Sequence, residues 1–296
     1  MQWNRSLGAT APKISAFVVA YNRAAILGTC LRALAFADEI IVVDKSSTDD
    51  TRSVAERHAT RVVTVPWSPT VEETRDGALS LCTHDWILFL DDDECLSAET
   101  GPFIRAQLAR GREDVFEFPL RHYVLGVHDE AAYYWPEHHV RLFRRGTVTF
   151  GATVHGGIEV HSDRRMRIPA ETGVCIHHLS HPDVSSWIER TNRYTSRPNR
   201  TRVSDDGQDL AAFAHARIDH WLAGSRDGYP AAVALLRATY DIVDRLKTWE
   251  EARGLDGNAL FTQACAELDA AKRPRSLFDR WMKNWFSRPT CPRPPE

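Results

Sequence analysis

Apolar and polar positions along this chain fall into two textures. Residues 14–21, 39–44, 61–65 and 86–90 are short, almost wholly apolar runs rich in Val and Ile. Runs of that length without alternation predict strands buried on both faces. The stretches between them have helical period: Ile26, Leu27, Cys30, Leu31 and Leu34 share one stripe, and Thr48 to Thr51 offer capping residues for a second helix. Strands alternating with helices predict a parallel sheet covered on both sides. From 115 to 179 the strands become shorter and more polar (VFEFPL, HHVRLFRR, GTVTF, VCIHHL), which predicts mixed or antiparallel additions to the same sheet. Beyond Ser185 the helical period returns, with Ala214, Ile218, Trp221 and Leu222 on one face and Ala234, Leu235, Ala238, Ile242 and Leu246 on another.

The expected organisation is therefore an α/β domain with a mixed, mainly parallel sheet and a C-terminal helical subdomain. Its parts are a tail at 1–13, a nucleotide-binding half at 14–110, a half for the other substrate at 111–184, helices at 185–271, and a basic segment at 272–296. That last segment places Leu277, Phe278, Trp281, Met282, Trp285 and Phe286 at helical spacing before a Pro-rich end. Its seven basic and two acidic residues give +5 in a chain whose remainder is -8. Such a segment is expected to dock on an anionic membrane surface.

Composition narrows the function. The 296 residues are 43% hydrophobic and 26% charged, which excludes general disorder. A net charge of -3 gives no reason to expect a nucleic-acid partner. No apolar run approaches the roughly twenty residues of a membrane span, and the first residues do not read as a secretory signal. Six cysteines without a Cys-x-x-Cys pair read as reduced thiols of a cytoplasmic protein, one that could dock peripherally on the inner face of the membrane.

Open sheets bind ligands at the carboxyl ends of their strands. The first strand ends in Tyr21-Asn22 without a glycine-rich phosphate loop, so diphosphate charge must be met by other means. The fourth ends in Asp91-Asp92-Asp93-Glu94, where extended geometry would point Asp91 and Asp93 the same way. Like charges about 4 Å apart repel by around 4 kcal/mol at an effective dielectric of 20, so the pair makes sense around Mg²⁺ or Mn²⁺. By the same reasoning Asp93→Ala should not lower the stability of the metal-free protein. Asp44 ends the second strand, precedes the capping residues, and is expected to be free for a base or ribose. Nine of the thirteen histidines lie between His122 and His181, and either His177 or His178 could complete a metal shell or bond the diphosphate.

In order and spacing, ISAFVVAYNR, ADEIIVVDKSSTDDT, ETRDGAL and DWILFLDDDE resemble inverting family 2 glycosyltransferases of GT-A fold. Within them the chain resembles the lipopolysaccharide-core β-glucosyltransferase-like branch, and weaker likeness runs on through WPEHHVRLFRR, CIHHL and RTNRYT. The resemblance implies a nucleotide-sugar donor, expected to be a UDP-sugar, with Tyr21 and Asp44 near the base and Arg75 beside the nucleotide. Asp91 and Asp93 would be the pair that bridges ribose and diphosphate through the metal. It further implies attack by a saccharide or lipid-linked saccharide hydroxyl with inversion, in cell-surface glycan or lipopolysaccharide assembly. The chain departs from the family in having Arg23 after the first-strand Asn, and Gly156 where Val-His-Glu is common. For the base that activates the acceptor, Glu159 is favoured, with His155 as its competitor and Asp129, Glu130 and Glu137 next. The rival functions are a catalytically silent nucleotide-sugar-binding scaffold and a sugar nucleotidyltransferase.

Overall fold

Parity along the strands explains the layers. In the computed structural model, which describes residues 11–68, 71–131, 133–151, 157–196, 209–224, 227–254 and 256–270, β1 (Ile14–Ala20) and β2 (Glu39–Asp44) lie parallel and hydrogen-bonded. β3 (Arg61–Thr64) pairs with β2, and β4 (Trp86–Asp91) with the other side of β1, all parallel. Even positions of β1 and β4, such as Ile14, Ala16, Val18, Leu88 and Leu90, bury against α1 (Ala24–Ala33) and α4 (Thr100–Arg110). Odd positions, such as Phe17, Val19, Ile87 and Phe89, bury on the opposite face, where Ala78 of α3 (Glu72–Leu81) joins them. Each fully buried Leu, Ile or Phe contributes roughly 1.5–3 kcal/mol, so the two faces fix which way every strand end points.

The remaining strands extend the sheet. β5 (Glu94–Leu96), β6 (Val115–Val124), β7 (Glu137–Arg144), β10 (Arg165–Arg167) and β11 (Ile176–His181) join it, giving nine strands in the order β3-β2-β1-β4-β7-β6-β11-β5, with β10 beside β6. β7 is antiparallel to both β4 and β6, which delivers the expected mixed additions. β8 (Val148–Phe150) and β9 (Ile158–Val160) form a separate antiparallel pair. The helices α5 (Val184–Thr195), α6 (Leu210–Leu222) and α7 (Gly228–Ala252) follow, α5 opening on a capping box between Asp183 and Ser186.

The segment 44–51 does more than cap the second helix. Asp50, which precedes α2 (Thr51–Glu56), makes no side-chain cap bond, but Asp49 Oδ1 accepts the Thr51 N–H at 2.9 Å. Asp49 and Thr51 also accept the backbone N–H groups of Ala24 and Arg23, and Ser47 and Thr48 bond Asn22. Asn22 sits at φ 51°, a left-handed conformation that Asn tolerates, and these bonds hold it there. The polar run thus caps the loop after β1 and the start of α1.

The chain divides into two compact units, 1–247 and 248–296. The described part of the second holds the last turn of α7 and α8 (Gly257–Ala270), which exposes Leu260, Phe261 and Leu268. Among the described residues no helix is long and apolar enough to cross a membrane. The basic segment 272–296 and its expected membrane contact lie outside them, as do residues 1–10 and His155 and Gly156.

Candidate active site

β4 runs out at Asp91, and the parity that buries Ile87 and Phe89 turns its carboxylate toward the α3 face. There Arg75 from α3 donates to Asp91 Oδ1 at 2.7 Å, and Arg141 from β7 to Oδ2 at 3.3 Å. Both guanidiniums lie over the Phe89 ring, at 5.4 and 4.7 Å from its centroid. Arg141 also donates twice to the buried Glu94, at 2.8 and 2.6 Å, and Glu94 accepts the Asp91 N–H. Burial pushes the Asp91 carboxyl upward, but Arg75 and Arg141 outweigh it and hold the group below its ordinary range.

After Asp91 the chain turns, so Asp92 and Asp93 are not extended as the run of acids suggested. Asp92 accepts the Tyr21 N–H at 3.1 Å and the Arg23 Nε–H at 3.0 Å. Its burial and the neighbouring Asp93 push it up to about 6. Asp93 is 4% exposed and meets three cations: Arg23 and Arg190 at Oδ2, each at 3.3 Å, and His178 Nε2 at 3.4 Å from Oδ1. Burial opposes its charge, yet His178, Arg190 and Arg23 together draw it well below the carboxylate range. The repulsion argument for Asp93→Ala is therefore overturned, because removing this carboxylate would strand buried cations.

Strand register brings His178 to Asp93. β5 pairs antiparallel with β11 so that Glu94 faces His178, and the Leu179 N–H donates to the Asp93 carbonyl at 2.8 Å. Alternation then turns His177 the other way, where its Nδ1 meets Tyr123 Oη at 2.9 Å. The expectation that His177 could serve the metal is corrected: His178 is the imidazole on that side.

A hydrogen-bonded chain continues from His178. Its Nδ1 lies 2.7 Å from His122 Nδ1, His122 Nε2 lies 3.1 Å from Glu137 Oε2, and Glu137 Oε1 lies 2.9 Å from His139 Nε2. Two facing Nδ1 atoms require one donor. Burial lowers the basicity of His178, but Asp93 reverses this and raises it; burial lowers His122. The arrangement these directions favour is a protonated His178 paired with Asp93 and donating to a neutral His122, which in turn donates to Glu137. Hydrogen bonds from His122 and His139 hold Glu137 well below its ordinary range.

The other sequence candidates are placed as follows. Tyr21 stands at the end of β1 with its ring 6.2 Å from that of Trp67. Asp44 is 2% exposed and its Oδ1 accepts the Ser47 N–H at 3.1 Å, so it is engaged in shaping the loop and not free as expected. Glu159 is a correction of another kind. Ile158 and Val160 face a cavity of about 410 Å³ that Asp91, Arg75, Arg141 and His139 also line, while the Glu159 side chain is 76% exposed on the outer face of β9. Its nearest charged partner is His161, 4.0 Å away, so it is not placed to deprotonate a hydroxyl beside Asp91. Asp129 caps Ala131, and Glu130 pairs with Arg121 at 3.2 Å. Sequence reasoning gave no role to Arg141, Glu94 or Arg190, although Glu94 stood in the acidic run, and treated Arg23 only as a departure. Arg190 lies 97 residues from Asp93, and its one sequence signal was the family-like RTNRYT.

Among the described residues no three His, Cys, Asp or Glu side chains gather for a metal ion. Asp91 and Asp93 have separate protein partners, Arg75 and Arg141 for the first and Arg23, Arg190 and His178 for the second. Asp93 Oδ1 and His178 Nε2 do converge, and a cation there would take the place of the His178 proton. One carboxylate and one imidazole fit a divalent ion that draws its other ligands from substrate phosphates and water.

The glycosyl transferase family 2 model matches residues 15–116. An uncharacterized glycosyltransferase of Rickettsia conorii is 31% identical over 213 residues, covering 68% of this chain and 74% of the relative. The lipopolysaccharide core biosynthesis glycosyltransferase LpsC of Rhizobium meliloti is 30% identical over 158 residues, covering 49% and 56%. The crystal structure of S. aureus TarS 1-349 in complex with UDP aligns with a TM-score of 0.44 at 14% identity, over 82% of this chain and 92% of that one. On the matched model and the Rickettsia relative, this chain belongs to glycosyl transferase family 2 and is a glycosyltransferase.

Proposed function

We propose that the protein transfers a sugar from a nucleotide-diphosphate donor, a UDP-sugar in this reading, to a saccharide or lipid-linked saccharide hydroxyl, with inversion at the anomeric carbon. The observation that carries this is the ring of Arg23, Arg190 and His178 on Asp93, next to Arg75 and Arg141 on Asp91, at the carboxyl end of β4. Displacement of a nucleoside diphosphate puts negative charge on the leaving oxygen, and fixed cations in a partly dry site stabilise it. Arg75 and Arg190, at 14% and 16% side-chain exposure, are held in place by carboxylates yet reachable by a ligand. A bound Mn²⁺ or Mg²⁺, held by Asp93 and His178, would supply further neutralisation of the diphosphate.

The cavity beside Asp91 and Arg75 is the donor's place in this reading, and Asp44 serves it by fixing the loop next to Tyr21. For the proton of the incoming hydroxyl, Glu137 replaces Glu159 as the proposed acceptor. Its two oxygens are oriented by His122 and His139, and it belongs to the hydrogen-bonded chain that begins at Asp93. The lipopolysaccharide-core name of the LpsC relative supports a cell-surface glycan as the acceptor class. A calorimetric titration with UDP in the presence of Mn²⁺ tests the donor half. Binding that weakens in Arg75→Ala supports it, and a protein that does not bind UDP contradicts it.

A further inference from the structure

A second cavity, of about 630 Å³, opens among β11, α5, α6 and α7. Its lining joins the rings of Trp187, Tyr194 and Tyr240 to charged groups on Arg217, Arg237 and Asp241. Arg190 also lines it, and that same guanidinium donates to Asp93. The cavity therefore adjoins the carboxylate cluster, yet every lining residue lies at or beyond His181. The resemblance assigned a role to none of these residues, and the half expected to hold the acceptor, 111–184, supplies only His181.

The side chains are fixed rather than loose. Arg237 lies over the Tyr240 ring at 4.8 Å and donates to Asp241 Oδ1 at 2.6 Å, while Trp221 donates to Asp241 Oδ2 at 2.8 Å. His181 packs against Trp187 with ring centroids 4.5 Å apart. Burial and the neighbouring Arg190 push His181 down to about 3, so it lines the cavity as a neutral ring. Rigid aromatic faces set among planar hydrogen-bonding groups suit one ligand class above others. A pyranose offers an apolar C–H face to stack on an aromatic ring and a rim of hydroxyls for arginine and carboxylate. A purely apolar ligand would desolvate the Arg237–Asp241 pair without offering new hydrogen bonds, and a polyanion would meet Asp241 and Asp244.

We propose that this cavity is a saccharide subsite that holds a pyranose ring of the acceptor. The inference rests on the glycosyltransfer reading above and extends it by moving acceptor recognition to α5, α6 and α7. A ring stacked there is one guanidinium away from Asp93, so its chain can present a hydroxyl to the donor.

Saturation-transfer NMR with a panel of methyl glycosides (glucoside, mannoside and N-acetylglucosaminide) on the full chain tests the subsite. The expected result is saturation strongest at the ring C–H protons of at least one glycoside. Tyr240→Leu, which keeps apolar volume and removes the aromatic face, should weaken that glycoside about three- to tenfold. Trp187→Phe serves as the second variant if Tyr240→Leu melts early, and it should shift the saturation pattern. Binding by none of the three glycosides overturns the proposal, as does binding that both folded variants leave unchanged. UDP affinity of the wild-type protein is measured alongside. Loss of UDP binding with glycoside binding intact would fault the donor reading and leave the saccharide subsite standing; the reverse would fault the subsite alone.

Discussion

Arg141→Met tests the electrostatic account of the site because Arg141 holds two acids at once. It is 5% exposed and donates at 2.8 and 2.6 Å to Glu94, itself 1% exposed, and at 3.3 Å to Asp91. Methionine keeps much of the apolar stem over Phe89 and removes the charge. Glu94 is then a buried carboxylate without its counter-charge, and breaking such a pair costs about 3–5 kcal/mol. Asp91 adds little to that figure, since its side chain is 29% exposed and keeps Arg75. Urea unfolding followed by tryptophan fluorescence measures the loss. The double variant Glu94→Gln/Arg141→Met should regain most of it, because no buried charge is stranded and Gln can still accept the Asp91 N–H. A single-variant loss below about 1 kcal/mol, the range of exposed pairs, would refute the reasoning, as would a double variant no more stable than the single.

Asp93→Asn should abolish transfer and lower the melting temperature of the metal-free protein, because Arg190 and His178 lose their buried counter-charge; an equal or higher melting temperature would contradict this. Glu159→Gln should leave turnover within about twofold of wild type, whereas Glu137→Gln should lower kcat and spare donor KM, and steady-state kinetics on both separates them. His181, at about 3 when folded against an ordinary 6.5, binds its proton more tightly in the unfolded chain across that window. Stability should therefore fall as pH drops from about 6.5 toward 3, and His181→Phe should flatten that part of a denaturation-against-pH curve.

The apolar runs of β1, β2 and β4 were legible because strands buried on both faces carry unbroken apolar sequence, and β2 matches its expected bounds, whereas β3 stands at the sheet edge with none of its four residues buried, against the expectation. Their ends named Asp44 and the acidic run, since ligands gather where parallel strands stop. What escaped was set by distant pairing. β5 is three residues long inside a stretch that reads as a turn, yet its register with β11 decides that His178 and not His177 meets Asp93. Glu159 was misjudged although the alternation Ile158-Glu159-Val160 sets it opposite its apolar neighbours, because three residues alone do not say which face meets the site. The partners of Asp93 come from α1's entry loop, β11 and α5, and no local pattern links them.

Release of nucleotide from a panel of nucleotide-sugar donors, with and without Mn²⁺, tests the central claim most directly when run on the wild-type chain and on Asp93→Asn. The account predicts slow release from a UDP-sugar by the wild type, stimulated by Mn²⁺ and by a saccharide acceptor, and none by the variant. Release that persists in Asp93→Asn, or a wild-type chain that releases nucleotide from no donor with any acceptor, would contradict it.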